Sequence, residues 1–107
     1  MKLRILAEAE AELWQSALWY DDRESGVGAI FLLAYEAALD VIRERSEILP
    51  VVEGIDSARD IRRRKLLRFP FYVIVERAGH ELVVLAVAHS SRRPTYWFSR
   101  TVRHTDP

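Results

Sequence analysis

Cysteine is absent from the 107 residues, which excludes a disulfide framework and any zinc site built on thiolates, and makes a reducing cytoplasm the simplest compartment. Long apolar runs are absent too. Even Leu82 to Ala88 falls far short of the roughly twenty residues a membrane helix requires, so a soluble protein with no membrane partner is expected. The opening MKLRILAEAEAELW meets glutamates too early for a secretory signal. No phosphate loop, H-E-x-x-H, G-x-S-x-G elbow or Rossmann glycine set occurs, leaving nucleotide hydrolysis, zinc proteolysis and serine hydrolysis without support. His80, His89 and His104 are too scattered to suggest a metal, and nothing points to a cofactor. With four glycines and four prolines, breakers are few, and their positions carry information.

What the chain does have is 50% apolar residues, enough for one modest core; residues 1–107 are read as a single domain. Its zero net charge hides a division. Met1 to Ala58 holds five Lys/Arg against twelve Asp/Glu, a net of −7, whereas Arg59 to Pro107 holds eleven against four, a net of +7. A basic half suits a negatively charged partner, nucleic acid or an acidic protein surface, although the two halves can also neutralise each other after folding.

The periodicity gives an α+β chain in the order β-α-α-β-β-β, with a small, mostly antiparallel sheet. Lys2 to Leu6 alternates charged and apolar residues as a strand with one wet face does. Ala9, Leu13, Ala17 and Tyr20 then recur at helical spacing, with Glu8, Glu10 and Glu12 near the positive end of the dipole. Ser25, Gly26 and Gly28 interrupt that pattern. A second helix carries Val27, Phe31, Tyr35, Ala38 and Ile42 on one face, and Pro50 closes the helical region. A loop through Gly54, Asp56 and Ser57 leads to strands near Arg59 to Leu67, Phe71 to Arg77 and Glu81 to Ala88, the last two joined at Ala78-Gly79-His80. Leu82 to Ala88 reads as a strand buried on both faces. Arg62-Arg63-Arg64-Lys65 puts charge on both faces of its strand, so alternation alone does not fix which arginines meet solvent.

Three groups of residues are candidates for function. Arg62, Arg63, Arg64, Lys65 and Arg68 form the densest positive patch, able to bind phosphates or simply to lie solvated over apolar surface. Arg92, Arg93 and Arg100, interleaved with Tyr96 and Trp97, make a cationic and aromatic surface of the kind found in interaction hot spots and single-strand platforms. Alternatively, Tyr96 and Trp97 fold back onto the sheet and Arg100 pairs with an acid on the first helix. His89 ends the buried strand and is either a general acid or base or a structural hydrogen-bonding group; no Asp or Cys partner lies within sequence reach. Trp14, Trp19 and Tyr20 read first as aromatic core, with one of them left partly exposed for a partner.

Taken in order, the helix ending in Trp19-Tyr20, the Arg68-Phe69-Pro70-Phe71-Tyr72 block, the Ala86-Val87-Ala88-His89 strand end and the following Arg93-Pro94-Thr95-Tyr96-Trp97 with Arg100 resemble the ParE branch of the RelE/ParE family of toxin–antitoxin toxins. The resemblance spans nearly the whole chain. It implies a helical hairpin packed on one sheet face, and the toxin component of a type II system, of the plasmid stabilisation type, that inhibits DNA gyrase and is neutralised by a cognate antitoxin. It also implies a target-binding surface of Arg64, Arg68, Arg92, Arg93, Tyr96, Trp97 and Arg100, and an antitoxin-binding surface at Trp14, Trp19 and Tyr20. On that reading the chain is not an enzyme. The RelE branch implies instead a metal-independent, ribosome-dependent mRNA endonuclease, with Lys65, Arg68, His89, Arg92 and Tyr96 as its catalytic set. Against it, the family's late tyrosine falls here on Trp97, and a middle-strand arginine is replaced by Tyr72. A non-toxic remnant that only pairs with an antitoxin is the third possibility.

Overall fold

The switch from a helical period to alternation is realised in three dimensions by a computed structural model that describes residues 1–55 and 58–100. Asp56 and Ser57 of the expected loop, and everything after Arg100, including Arg103 and His104, lie outside the described residues. The elements are β1 (Lys2–Ile5), α1 (Ala7–Arg23), α2 (Val27–Arg45), a 3₁₀ turn at Ser46–Ile48, β2 (Asp60–Lys65), β3 (Phe71–Ala78) and β4 (Glu81–His89). This is the expected β-α-α-β-β-β order.

The two helices meet closely because of Gly28. A Cβ there would stand 2.6 Å from the carbonyl oxygen of Ala17, so only glycine lets α2 lie against α1 at that point. Asp21 completes the corner: its carboxylate accepts hydrogen bonds from the N–H groups of Gly26 at 2.9 Å and Gly28 at 3.2 Å. Gly26, at φ +95°, has no side chain to cap the new helix, so the end of α1 supplies the acceptor.

The strands form one sheet in the order β1-β4-β3-β2. β2 runs antiparallel to β3 and β3 antiparallel to β4, while β1 lies parallel to β4 with Lys2 opposite Glu81 and Ile5 opposite Val84. β2 is shorter at both ends than the expected span. Leu66 and Phe69 turn into the core, and the intervening Arg68 takes a left-handed φ of 73°, which ends the ladder before Leu67.

β4 is buried along Leu82 to Ala88, as its apolar composition implies. A bulge sets its faces: Ile74 pairs with Ala86 but Val75 with Val84, leaving Leu85 as the extra residue. Consequently Leu82, Val84 and Val87 join the helix-side core with Phe31, Ile42, Val73 and Val75. Val83, Leu85, Ala86 and Ala88 join a second core with Ile61, Ile74 and Trp97. The helical hairpin covers one side of the sheet and the segment after β4 covers the other.

Candidate functional site: a tail-closed face and a cation-lined cavity

β1 stops at Ile5, so the second half of β4 has no strand beside it on that edge, and its backbone groups need other partners. Glu12 on α1 and Arg100 in the tail supply them. The Glu12 carboxylate accepts the Val87 N–H at 2.9 Å, and the Arg100 guanidinium donates to the Leu85 carbonyl at 2.7 Å. The two side chains also pair with each other at 2.9 Å, with a second contact at 3.2 Å. The Tyr96 hydroxyl donates to the same carboxylate at 2.8 Å. Burial pushes the Tyr96 phenol well above its ordinary range, and the hydrogen bond to Glu12 and that carboxylate's charge push it further. The hydrogen bond to Glu12 likewise raises Arg100.

A second clamp holds the tail from the other side. Arg59 pairs with buried Glu76 at 2.7 Å and donates to the carbonyls of Phe98 at 2.7 Å and Arg100 at 3.0 Å. Between the clamps Trp97 sits only 3% exposed. Trp97 is therefore a core residue of the tail-covered face, as in the alternative in which it folds back onto the sheet. Tyr96 is half-buried, and the fold-back geometry, with Arg100 paired to an acid of the first helix, is the one realised.

The tail, the loop at Pro50–Glu53 and strands β3 and β4 enclose a cavity of about 660 Å³. Exposed Arg63, Arg92 and Arg93 line it together with Tyr72, Tyr96 and His89, and Glu53 stands among them. The Arg92 guanidinium lies 3.9 Å over the Tyr96 ring and that of Arg63 lies 4.9 Å over Tyr72, a stacked geometry that leaves guanidinium N–H groups available. Among the described residues none of these three arginines has a carboxylate within ion-pair distance. The His89 Nδ1 accepts the Ser91 N–H at 3.0 Å and lies 2.8 Å from the Ser91 hydroxyl. In the neutral ring the proton is therefore on Nε2, which makes His89 a donor on its free side.

The structure thus divides the basic residues that the sequence groups together. Arg62 donates to the carbonyls of Glu47 and Leu49 and pairs with Asp60 at 2.6 Å, tying β2 to the end of the helical region. Asp60 also pairs with Arg77 at 2.9 Å; burial pushes its carboxyl up, but the hydrogen bonds from Arg62 and Arg77 outweigh this and hold it below its ordinary value. Strand alternation puts Arg64 on the face of Arg62, away from Arg63. Lys65 donates to the carbonyls of Leu66 and Phe69 at 3.1 and 3.0 Å and braces the turn. Arg64, Lys65 and Arg68 do not line the cavity, whereas Arg92, Arg93, Tyr96 and His89 do. Glu12, Arg63 and Tyr72 complete this region; of these, Arg63 alone stood among the sequence candidates, as part of the basic patch on its strand. Of the three, Arg63 and Tyr72 carry a usable signal, since both lie in phase with Ile61 and Ile74 on the tail-covered face.

The helical side presents a different surface. Trp14 and Trp19 are each about half exposed, so they are not the buried core suggested by their spacing; Tyr20 packs against Phe31, Phe69 and Phe71 with centroid distances of 4.9 to 6.2 Å. Leu18 and Leu33 stand 66% and 69% exposed. Trp14 and Leu18, four residues apart, share one face of α1. Trp19 carries the Arg23 guanidinium at 3.5 Å from its ring. A groove of about 290 Å³ runs from Gln15, Ser16 and Trp19 to Phe71 and His89. Among the described residues no helix is long and apolar enough to cross a membrane, and no cluster of three metal-ligating side chains occurs.

Neither a protein-family model nor a curated protein matches this chain by sequence. A search of solved structures finds a protein chain from the "Chromosomal ParDE TA system from P. aeruginosa", which superposes with a TM-score of 0.71 over 83% of this chain and 95% of that chain at 16% identity. The fold expected from the ParE-like resemblance, two helices and a four-stranded mixed sheet in the order β-α-α-β-β-β, is thus the fold this chain has.

Proposed function

We propose that this chain is the toxin component of a type II toxin–antitoxin system, that it inhibits DNA gyrase, and that a cognate antitoxin neutralises it. The observation that carries the reading is the fold shared, over most of both chains, with a protein of a ParDE toxin–antitoxin system. Arg92 and Arg93 on the exposed rim are the proposed contacts with the target, with Arg64 and Arg68 forming a separate cationic patch. The apolar helix surface at Trp14, Leu18 and Trp19 is where the antitoxin docks. Burying those half-exposed indoles supplies the large apolar area that interface hot spots use.

Inhibition without cleavage is favoured over RNA cleavage by the protonation state of the cavity. Metal-free RNA cleavage needs a proton acceptor for the 2′-hydroxyl. Tyr96 commits its hydroxyl to Glu12 and has its pKa raised, and His89 spends the Nδ1 lone pair on Ser91. Apart from the Glu53 carboxylate, the side chains that line the cavity among the described residues offer cations and donors rather than a free base.

A gyrase supercoiling and cleavage-complex assay tests the proposal. Purified protein should inhibit supercoiling or accumulate linear DNA, and its antitoxin should reverse the effect. Unchanged supercoiling and cleavage-complex levels would sink it, and mRNA cleavage on ribosomes, lost in Arg92→Ala, would put the endonuclease in its place.

A further inference from the structure

We infer that the Ser91 hydroxyl is a nucleophile, activated by His89, that accepts a phosphoryl group from an acyl phosphate or a nucleoside triphosphate. This goes beyond gyrase inhibition and does not depend on it. The geometry begins at the end of β4. The His89 ring packs edge to face on Phe71, its partner in the ladder, with the centroids 5.0 Å apart. The chain then turns sharply: the Ser90 N–H donates to the Pro70 carbonyl at 2.8 Å and the Arg92 N–H to the His89 carbonyl at 3.0 Å. Between these anchors the Ser91 hydroxyl lies 2.8 Å from His89 Nδ1, the nitrogen whose lone pair also receives the Ser91 N–H at 3.0 Å. A hydroxyl beside a positioned ring nitrogen is the arrangement that activates serine, and here Phe71 and the turn hold the ring in place. The lone pair that a foreign hydroxyl does not find free in the cavity is directed at the chain's own.

The surroundings select the electrophile. Ser91 is exposed, and so are Arg92 and Arg93, which follow it directly. Neither arginine has a carboxylate within ion-pair distance among the described residues. Guanidinium groups suit the charged oxygens of a phosphoryl group in transfer, whereas an uncharged acyl donor makes no use of them. In the step, Ser91 Oγ bonds to phosphorus while the bond from phosphorus to the leaving oxygen breaks. A carboxylate or a nucleoside diphosphate departs with the electron pair. The hydroxyl proton passes to His89 Nδ1, and the Ser91 N–H gives up its share of that lone pair. The product places a phosphate dianion beside Arg92 and Arg93 and cancels the positive charge of the rim.

Incubating the purified chain with acetyl phosphate and, separately, with ATP and magnesium tests this, the modified position being mapped by tandem mass spectrometry. A phosphoryl group on Ser91 is expected from at least one donor. Transfer from acetyl phosphate alone assigns an acyl phosphate; transfer from ATP, with or without the other, assigns a nucleoside triphosphate. His89→Gln, checked for unchanged circular dichroism, should slow the transfer about a hundredfold or more, the usual worth of a general base, while Ser99→Ala should react like the parent. A second measurement probes the pair without any phosphoryl donor. The chain has no cysteine, so Ser91→Cys places the sole thiol beside His89, and iodoacetamide should alkylate it about tenfold faster than the thiol of Ser99→Cys. Adding His89→Gln should erase that advantage. The inference is overturned by no transfer from either donor, by phosphate on Ser90, Thr95 or Ser99 in place of Ser91, by His89→Gln reacting at the parent rate, or by equal alkylation of the two thiols. Gyrase plays no part in either readout, so failure of the gyrase reading leaves this one standing, and the reverse holds too.

Discussion

On its helix side the sheet is covered by a continuous apolar layer in which Phe31, Phe69 and Phe71 pack edge to face 5.0 Å apart. On its other side the cover is a few residues of irregular chain, held by one tryptophan and two ion-paired clamps. The first arrangement derives its stability from volume and shape, which tolerate solvent change and small substitutions. The second depends on a handful of directional contacts whose loss leaves buried charges without partners. Stability is spread out on one side and concentrated on the other, and exposed Arg63, Arg92 and Arg93 stand on the concentrated side.

Removing the anchor of each face is the most severe comparison. Trp97→Ala and Phe31→Ala should each lower unfolding free energy by about 3–5 kcal/mol in chemical denaturation, as truncation of a buried aromatic does. The two should differ in structure: Phe31→Ala loosens the whole domain, whereas Trp97→Ala first releases the tail and increases amide exchange at residues 95–100. Equal protection losses across the molecule in both variants would remove the distinction between the faces.

Glu12→Gln comes next, because it leaves the Arg100 guanidinium without its counter-charge beside the β4 edge. Both side chains retain some solvent contact, so the cost should be about 2–3 kcal/mol, below that of a fully buried pair. Glu12→Gln combined with Arg100→Met should cost less than the sum of the single changes, and a double-mutant cycle measures that coupling. Additive effects would mean that the clamp holds nothing together.

The smallest effect lies in alkaline solution. The Tyr96 pKa is raised on the tail side and that of Tyr35 is pushed up to about 12 on the helix side, mainly by burial in both cases. A phenol whose folded pKa lies above its unfolded value of about 10 contributes stability that is fully present below pH 10 and is lost as the pH rises towards the folded value. Tyrosine ionisation followed by ultraviolet absorbance should therefore show a late phase that coincides with unfolding, and Tyr96→Phe should shrink it. If Tyr96 ionised in the folded protein near pH 10, the Glu12 hydrogen bond would not exist as described.

Much of this architecture could be read from the chain, because the change from helical period to alternation survives in Ala9-Leu13-Ala17, in Phe31-Tyr35-Ala38 and in the unbroken apolar β4. The β2 register was not legible: with arginine on both faces, hydropathy carries no phase, and only the pairing of Arg63 with Ile74 assigns it. Trp97 left two readings open, because an aromatic beside arginines looks the same in sequence whether it meets a partner or its own sheet. Glu12 escaped notice for a different reason. Its partners Tyr96 and Arg100 lie 84 and 88 positions away, and one glutamate among three on α1 has no local mark of that role.

The parallel pairing of β1 with β4 has a consequence for how the molecule assembles. Residues 2–5 find their ladder only on residues 81–84, so this pairing must wait for a strand far along the chain. The α1–α2 corner and the β2–β3–β4 meander close locally and can form early, but β4 is not flanked on both edges until β1 docks beside it. Ordering of this kind slows folding, since distant loop closure has to be met before the contacts that reward it. It also ties completion of the sheet to the helix-to-tail clamp and the cavity, so that the tail-side surface is finished only after the locally closed helical corner has formed.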